Sequence, residues 1–156
     1  MDKINCCTIF NVMTQELIVF DLDGTLAITH HRDHFIQGKR KDWRSFFASC
    51  VNDEPNLPVI AMFHALRAQG YRLEIWSGRS DQVRAETEDW LEKFGIKADH
   101  LRMRKKDDYT PDHILKESWL KESDRKPMVI FDDRNKVVNM WRQNHVPCFQ
   151  VAPGDF

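Results

Sequence analysis

Short apolar runs alternate with amphipathic stretches from Leu17 onward, and most of the runs end in polar residues. Leu17-Ile18-Val19-Phe20 is unbroken in its apolar character, as a strand buried on both faces must be, and it stops at Asp21-Leu22-Asp23-Gly24-Thr25. Tyr71 to Trp76 is a second run, stopping at Ser77-Gly78-Arg79, and His100 to Met103 is a weaker third. Met128-Val129-Ile130-Phe131 is a fourth, stopping at Asp132-Asp133, and Cys148 to Val151 closes the series. Helical periods lie between them. Pro58 to Gln69 carries Ile60, Met62, Phe63 and Leu66, then halts at Gly70. Ser80 suits the N-cap of a helix with Val83, Thr87, Trp90, Leu91 and Phe94 on one face and Gly95 as its stop. Asp112 is a candidate cap for a helix containing Ile114, Leu115 and Trp119, and Val137, Val138 and Trp141 mark a last helix. These stripes are expected to be core.

Strands alternating with helices predict βαβ units and hence an α/β, three-layer Rossmann-like fold, with helices on both faces of a central parallel sheet. In such a sheet the carboxyl ends of the strands form one rim, where ligands bind. The clusters Asp21/Asp23, Ser77 and Asp132/Asp133 each follow a strand, so side chains distant in sequence are expected to meet there. Residues 27–57 form an insert after the first cluster, in which Trp43, Phe46, Phe47 and Val51 predict a short helix. It is too small for a full covering domain, which leaves the rim open to a large substrate. Residues 1–13 read as an N-terminal extension, with Met13 an alternative start, and 14–156 as the one domain.

With 42% hydrophobic and 30% charged residues in 156, the composition is that of a soluble globular domain. The net charge of −1 excludes a globally basic nucleic-acid binder but leaves room for a local basic groove. Two basic stretches exist: His30, His31, Arg32, Lys39, Arg40 and Lys41, and then Arg102, Arg104, Lys105 and Lys106. By default both read as solvated surface. Cys6, Cys7, Cys50 and Cys148 include no CxxC pair, which fits a reducing, cytoplasmic compartment. No apolar run approaches the ~18 residues of a membrane span, and no signal peptide is expected. His30, His31 and His34 lack the partner spacing of a zinc site and read as surface or substrate-lip residues. Gly38-Lys39 is followed by Arg40, not by Ser or Thr, and no P-loop is formed, so kinase chemistry is not expected.

The rim carries the chemistry. Gly24 permits a turn that places Asp21 and Asp23 together, and the loop's N–H groups can face an anion. Carboxylates and phosphate repel each other, so the site calls for a hard cation with oxygen ligands, most naturally Mg²⁺. Asp132 and Asp133 supply further oxygens, and Arg79 and Lys116 fixed positive charge.

Asp21-Leu22-Asp23-Gly24-Thr25-Leu26, Ser77, Lys116 and Asp132-Asp133 resemble, in order, the four motifs of the haloacid dehalogenase superfamily. Within it, the chain resembles the 3′-phosphatase domains of phage polynucleotide kinase-phosphatases. The residues that carry this are Ser77-Gly78-Arg79, Thr87 with Trp90, Arg104, Asp132-Asp133-Arg134, Val137-Val138, Met140-Trp141-Arg142 and Gln150 to Phe156. The resemblance implies that Asp21 attacks phosphorus and that Asp23 protonates the leaving alcohol, then activates water. It implies that Ser77 and Lys116 hold the phosphoryl oxygens, and that Gly24, Thr25, Gly78, Arg79 and Arg104 contact substrate or its phosphate. Asp132 and Asp133 would bind Mg²⁺ with Asp21 and the backbone carbonyl of Asp23. Dehalogenases lack the second aspartate, and transport ATPases carry Lys-Thr where this chain has Leu22-Asp23. The implied activity is removal of 3′-phosphates from polynucleotide ends in nucleic-acid repair, with no membrane and no obligate protein partner. A small-molecule phosphatase such as a nucleotidase, and a non-catalytic scaffold, are the alternatives.

Overall fold

In a computed structural model the described residues are 16–155, so the reading of 1–13 as an extension lies outside them. The strands are β1 (Leu17–Phe20), β2 (Ala27–Ile28), β3 (Glu54–Pro55), β4 (Arg72–Ser80), β5 (His100–Arg104), β6 (Val129–Asp132) and β7 (Cys148–Gln150). The helices are α1 (Trp43–Ala48), α2 (Leu57–Ala68), α3 (Arg84–Lys93), α4 (Asp112–Glu122) and α5 (Asn135–Gln143). Five strands form one parallel sheet in the order β5-β4-β1-β6-β7.

Period two explains why β1 has no polar residue. Ile18 and Phe20 point to one face and pack with Val59, Ile60 and Phe63 of α2 and Trp90 and Leu91 of α3. Leu17 and Val19 point to the other, against Leu115 and Trp119 of α4 and Val137, Val138 and Trp141 of α5. The sheet is thus covered on both faces, and the expected three-layer Rossmann-like architecture is present. At the switch point β1 is flanked by β4 and β6, with connections that leave in opposite directions, so a crevice opens at its carboxyl end.

Two elements differ from expectation. Strand β4 does not stop at Trp76 but runs to Ser80, where it pairs with Arg104 after a register shift between Ser77 and Ser80. A bulge of this kind lets pairing continue while re-aiming side chains. Ser77 therefore lies inside β4. Asp112 is the first residue of α4, whose N-cap is Pro111, and its carboxylate caps nothing.

The insert is small, as expected. Its base is a two-stranded antiparallel ribbon, Ala27 opposite Pro55 and Ile28 opposite Glu54. The predicted helix is α1, where Asp42 accepts the Ser45 N–H at 3.0 Å. Short 3₁₀ turns at His30–Phe35 and Ser49–Asn52 complete it. Among the described residues no helix is long and apolar enough to cross a membrane.

Candidate active site

The backbone leaves β1 still tied to the sheet, since Asp21 N–H donates to Phe131 O at 2.8 Å. It then turns tightly. Thr25 N–H and Ala27 N–H both donate to Leu22 O, at 3.2 and 2.9 Å, and Gly24 N–H donates to Ala27 O at 2.8 Å. The Gly24 and Thr25 amides are thus used within the turn rather than aimed outward. Gly24 has φ +83°, and a Cβ there would overlap the Asp133 carboxylate. Thr25 Oγ1 donates to Asp133 Oδ1 at 3.4 Å. Both residues, expected to contact phosphate, instead seat the turn against β6.

Lys116, on the buried face of α4, places Nζ 2.8 Å from Asp21 Oδ1 and 2.9 Å from Asp132 Oδ2. Asp21, Asp132 and Asp133 bring one oxygen each within 4.8 Å of one another, all three residues buried. Asp132 is oriented by N–H groups of Asp133 (2.9 Å) and Arg134 (3.3 Å) on Oδ1, and by Trp141 Nε1 on Oδ2 at 3.3 Å.

The charge here does not balance. Three buried carboxylates face one ammonium. Burial raises Asp21 well above the usual carboxylate range despite Lys116, with Asp132 and Asp133 adding to the rise. Burial, then the Asp132 charge, pushes Asp133 up to about 6. Burial works against the Lys116 charge, yet Asp132 and Asp21 lift its pKa well above normal, so it stays an ammonium. An oxygen-only cluster with excess negative charge out of water is the donor set that a hard divalent cation fits.

The carboxylate of Asp23 faces elsewhere. Arg79 Nε donates to its Oδ1 at 3.1 Å, Arg79 Nη2 bonds the same oxygen, and Arg32 Nη2 donates to it at 2.8 Å. Burial alone would raise this carboxyl, but the Arg79 and Arg32 guanidiniums override it and hold its pKa at about 2. The side chain is 23% exposed, at the mouth of the site. The metal-binding role expected of Asp23 is that of its backbone carbonyl, so the engagement of its carboxylate by the two arginines does not conflict with it.

Both arginines rest on Asp53, whose side chain is wholly buried. Its Oδ1 accepts Arg32 Nε at 2.7 Å and lies 2.9 Å from His31 Nε2. Its Oδ2 accepts Arg32 Nη2 and Arg79 Nη2, each at 2.8 Å. Trp90 Nε1 fixes the Asp53 carbonyl at 2.8 Å. Arg32 also lies 4.2 Å over the Phe46 ring and donates to Phe46 O at 3.3 Å.

The remaining expected residues sort by what they touch. Ser77 is fully buried, and its Oγ accepts Arg79 N–H at 3.1 Å, which leaves its own proton to donate. The Arg79 guanidinium is engaged by Asp23, Asp53 and Thr87 Oγ1 (3.2 Å). The Arg104 guanidinium is engaged by Gly78 O (2.9 Å), Thr110 O (2.6 Å), Asp108 O (3.3 Å) and Asp112 Oδ1 (3.1 Å). Neither is directed at open space, contrary to the substrate contacts expected of them. A Cβ at Gly78 would overlap Asp112 Oδ1, so this glycine makes room for the Arg104–Asp112 pair. Arg32 corrects the reading of the first basic stretch as solvated surface: it is fully buried.

Sequence reasoning missed Arg32 and Asp53 as site residues. Their meeting depends on the β2–β3 ribbon, whose two-residue strands leave no periodic trace, so a lone buried arginine looked like its exposed neighbours.

The glycine geometry gives a direct expectation. Gly24→Ala should lose about 1–3 kcal/mol through left-handed strain, and should also weaken divalent-cation binding by displacing Asp133. Gly38→Ala, at φ +92° with nothing within 4 Å of a Cβ, carries similar strain without the overlap. It should leave cation affinity unchanged. Calorimetric titration with Mg²⁺ of the two variants reads the difference, and equal affinities would remove the argument for Gly24.

A parallel sheet whose central strand ends in this aspartate turn, beside Ser77, Lys116 and Asp132-Asp133, defines a phosphoric monoester hydrolase of the haloacid dehalogenase type. Residues 15–156 match the family described as the polynucleotide kinase PNKP phosphatase domain, and the chain belongs to it. A candidate bifunctional polynucleotide kinase/RNA ligase of Autographa californica nuclear polyhedrosis virus is 32% identical over 135 residues, covering 83% of this chain and 18% of that protein. A structure of the Pnkp1/Rnl/Hen1 RNA repair complex contains a chain 34% identical, with TM-score 0.79, covering 92% of this chain and 44% of its own. A phosphatase-like structure from Clostridium difficile, 15% identical with TM-score 0.62 over 87% of this chain and 84% of its own, shares the fold. The chain thus spans less than half the length of the first two of these relatives.

Proposed function

We propose that this chain is a Mg²⁺-dependent 3′-phosphatase of polynucleotide ends that works through a phosphorylated Asp21. The observation that carries this is the unbalanced trio of Asp21, Asp132 and Asp133 around Lys116, with Asp23 held apart from it by two arginines. Residues 14–156 form the phosphatase unit, and the 27–57 insert lends it Arg32 and Asp53.

When bound, Mg²⁺ offsets the repulsion between phosphate and the carboxylates and orients the phosphoryl group. Lys116 holds Asp21 Oδ1, which leaves Oδ2 to attack phosphorus as the bond to the 3′-oxygen breaks. Ser77 Oγ–H and Lys116 stabilise the charge spreading over the phosphoryl oxygens. Asp23 rests as a carboxylate. The proton it delivers to the departing 3′-oxygen therefore comes from a phosphate monoanion, whose second pKa is about 6. In the second step Asp23 takes a proton from water, the water oxygen bonds to phosphorus, and Asp21 leaves as a carboxylate with release of inorganic phosphate. The remaining 3′-hydroxyl is the group that strand joining requires.

Two observations favour a polynucleotide over a small substrate. The insert is too small to enclose the rim, and the matched family is described by its polynucleotide kinase membership. A phosphatase panel with Mg²⁺ and with chelator tests the reading. A 3′-phosphorylated oligonucleotide should be turned over much faster than 3′-mononucleotides, and chelator should stop all turnover. Equal or faster mononucleotide turnover would make the chain a nucleotidase. No turnover of any ester, a chromogenic aryl phosphate included, would make it a scaffold.

A further inference from the structure

We infer that the outer edge of the insert is a strand-binding surface, where Lys39, Arg40 and Lys41 hold backbone phosphates and Trp43 stacks on a base. This rests on the reading of the substrate as a polynucleotide end, and it assigns the surface that grips the strand.

Residues 37–44 are all exposed, and they carry Lys39, Arg40, Lys41 and Arg44 against one acid, Asp42. That acid is engaged locally, its carboxylate accepting Ser45 N–H at 3.0 Å and Ser45 Oγ–H at 2.7 Å to cap α1. Among the described residues Lys39, Arg40 and Lys41 form no ion pair. A compact patch of unpaired cations is therefore presented to solvent.

Beside it stands an aromatic ring that the fold leaves uncovered. Trp43 is 41% exposed, whereas Trp76, Trp90, Trp119 and Trp141 are all buried. The ring is braced from beneath, stacked on Phe47 at 5.9 Å and edge-on to Phe46 at 5.7 Å, with Lys41 Nζ 5.6 Å from its centroid. A fixed, half-open indole flanked by cations suits a nucleobase with its phosphates, a pairing that tolerates any sequence because every base has a π-face.

The surface is joined to the chemistry by direct contact. Phe46, which braces Trp43, lies under Arg32, and Arg32 donates to Asp23 at 2.8 Å. Two side chains, Phe46 and Arg32, thus separate Trp43 from the carboxylate that serves the 3′-oxygen, a span that the nucleotides next to a 3′ end can cover. A mononucleotide, with no neighbouring base or phosphate, cannot occupy both places.

Two measurements test this. Trp43 dominates solvent-accessible indole fluorescence, so a single-stranded 3′-phosphorylated oligonucleotide should quench it and protect it from iodide, while a 3′-mononucleotide should do neither. In steady-state kinetics, Trp43→Ala and the triple variant Lys39→Ala, Arg40→Ala, Lys41→Ala should each raise the oligonucleotide KM about tenfold relative to the KM for an aryl phosphate. Trp43→Phe should recover most of the loss. The triple variant should also flatten the dependence of log KM on log salt by about two, as loss of three single-strand phosphate contacts implies. Lys126→Ala removes an exposed charge just before β6, at the amino end of the strands and so opposite the rim, and should change nothing. A parent protein without preference for oligonucleotides would defeat the substrate reading itself. A parent that prefers them, with both surface variants unchanged or raising KM equally for all substrates, would overturn this inference alone.

Discussion

Asp21→Asn is expected to abolish phosphate release from 3′-phosphorylated oligonucleotides while the cation-free protein unfolds at a temperature no lower than that of the parent. The first half follows from chemistry: an amide is not a nucleophile toward phosphorus, and the other carboxylate on Lys116, Asp132, is already engaged by Trp141 and two backbone N–H groups. The second half follows from charge. Asp21 is one of three buried carboxylates facing a single ammonium, and its pKa is raised, so its ionised form opposes folding. A neutral isostere relieves that repulsion and leaves Lys116 paired with Asp132. Stabilisation by added Mg²⁺ should shrink, because that gain scales with affinity for the folded state. Thermal unfolding with and without Mg²⁺ separates the effects. A substantially lower cation-free melting temperature would mean that the trio was balanced after all.

The same imbalance sets a pH dependence. Asp133 titrates near 6 in the folded protein against 3.8 as its ordinary value. The folded state therefore takes up a proton that the unfolded chain does not, and the cation-free protein should gain stability as pH falls from about 7 toward 4. With saturating Mg²⁺ the trend should reverse, since the proton then competes with the cation. Below about 4 the Asp23–arginine pairing is progressively lost as pH approaches its value of about 2, and stability falls in both states.

Asp53→Asn is expected to have the second-largest effect, and a selective one. The wild-type carboxylate accepts bonds from Arg32, Arg79 and His31 with no solvent contact. An amide offers one oxygen and turns an N–H toward a guanidinium. Removing one partner from a buried ion network typically costs about 3–5 kcal/mol, a large share of the ~5–15 kcal/mol that holds a domain together. Measured where the variant is still folded, its activity should divide by leaving group. With the arginines no longer anchored, Asp23 is misplaced, and a 3′-oxygen that needs a proton suffers by the ~10²–10⁴-fold that general acid catalysis supplies. The first-turnover burst of an aryl phosphate, whose phenolate departs unaided, should be much less affected. Equal losses on both substrates would reduce Asp53 to a structural role.

The sequence made the sheet legible because β1 and β6 are near-continuous apolar runs, because β4 opens on Leu73, Ile75 and Trp76, and because Gly24, Gly70 and Gly95 stand where the chain reverses. It made the rim legible because Asp21, Lys116 and Asp132 each follow or face such a run. What it hid was the direction of the long cationic side chains. Arg79 and Arg104 were expected to reach for phosphate, yet their guanidiniums are engaged by Asp23, Asp53, Asp112 and backbone carbonyls. Arg32 and Lys39 look alike in a basic stretch, although one is sealed between the insert and Asp23 and the other lies in water. Such differences arise from tertiary partners alone. Gly78 shows the same limit: it was read for the phosphate it would approach, and it proves to make space for Asp112.

The central claim is that phosphate passes through Asp21. Rapid acid quenching during turnover of a 3′-phosphorylated oligonucleotide with Mg²⁺, followed by peptide mass spectrometry, tests it most directly. The expected result is one added phosphoryl group on the peptide containing Asp21, appearing before free phosphate and absent from Asp21→Asn. Full turnover with no adduct at any quench time, or an adduct on another residue, would contradict it.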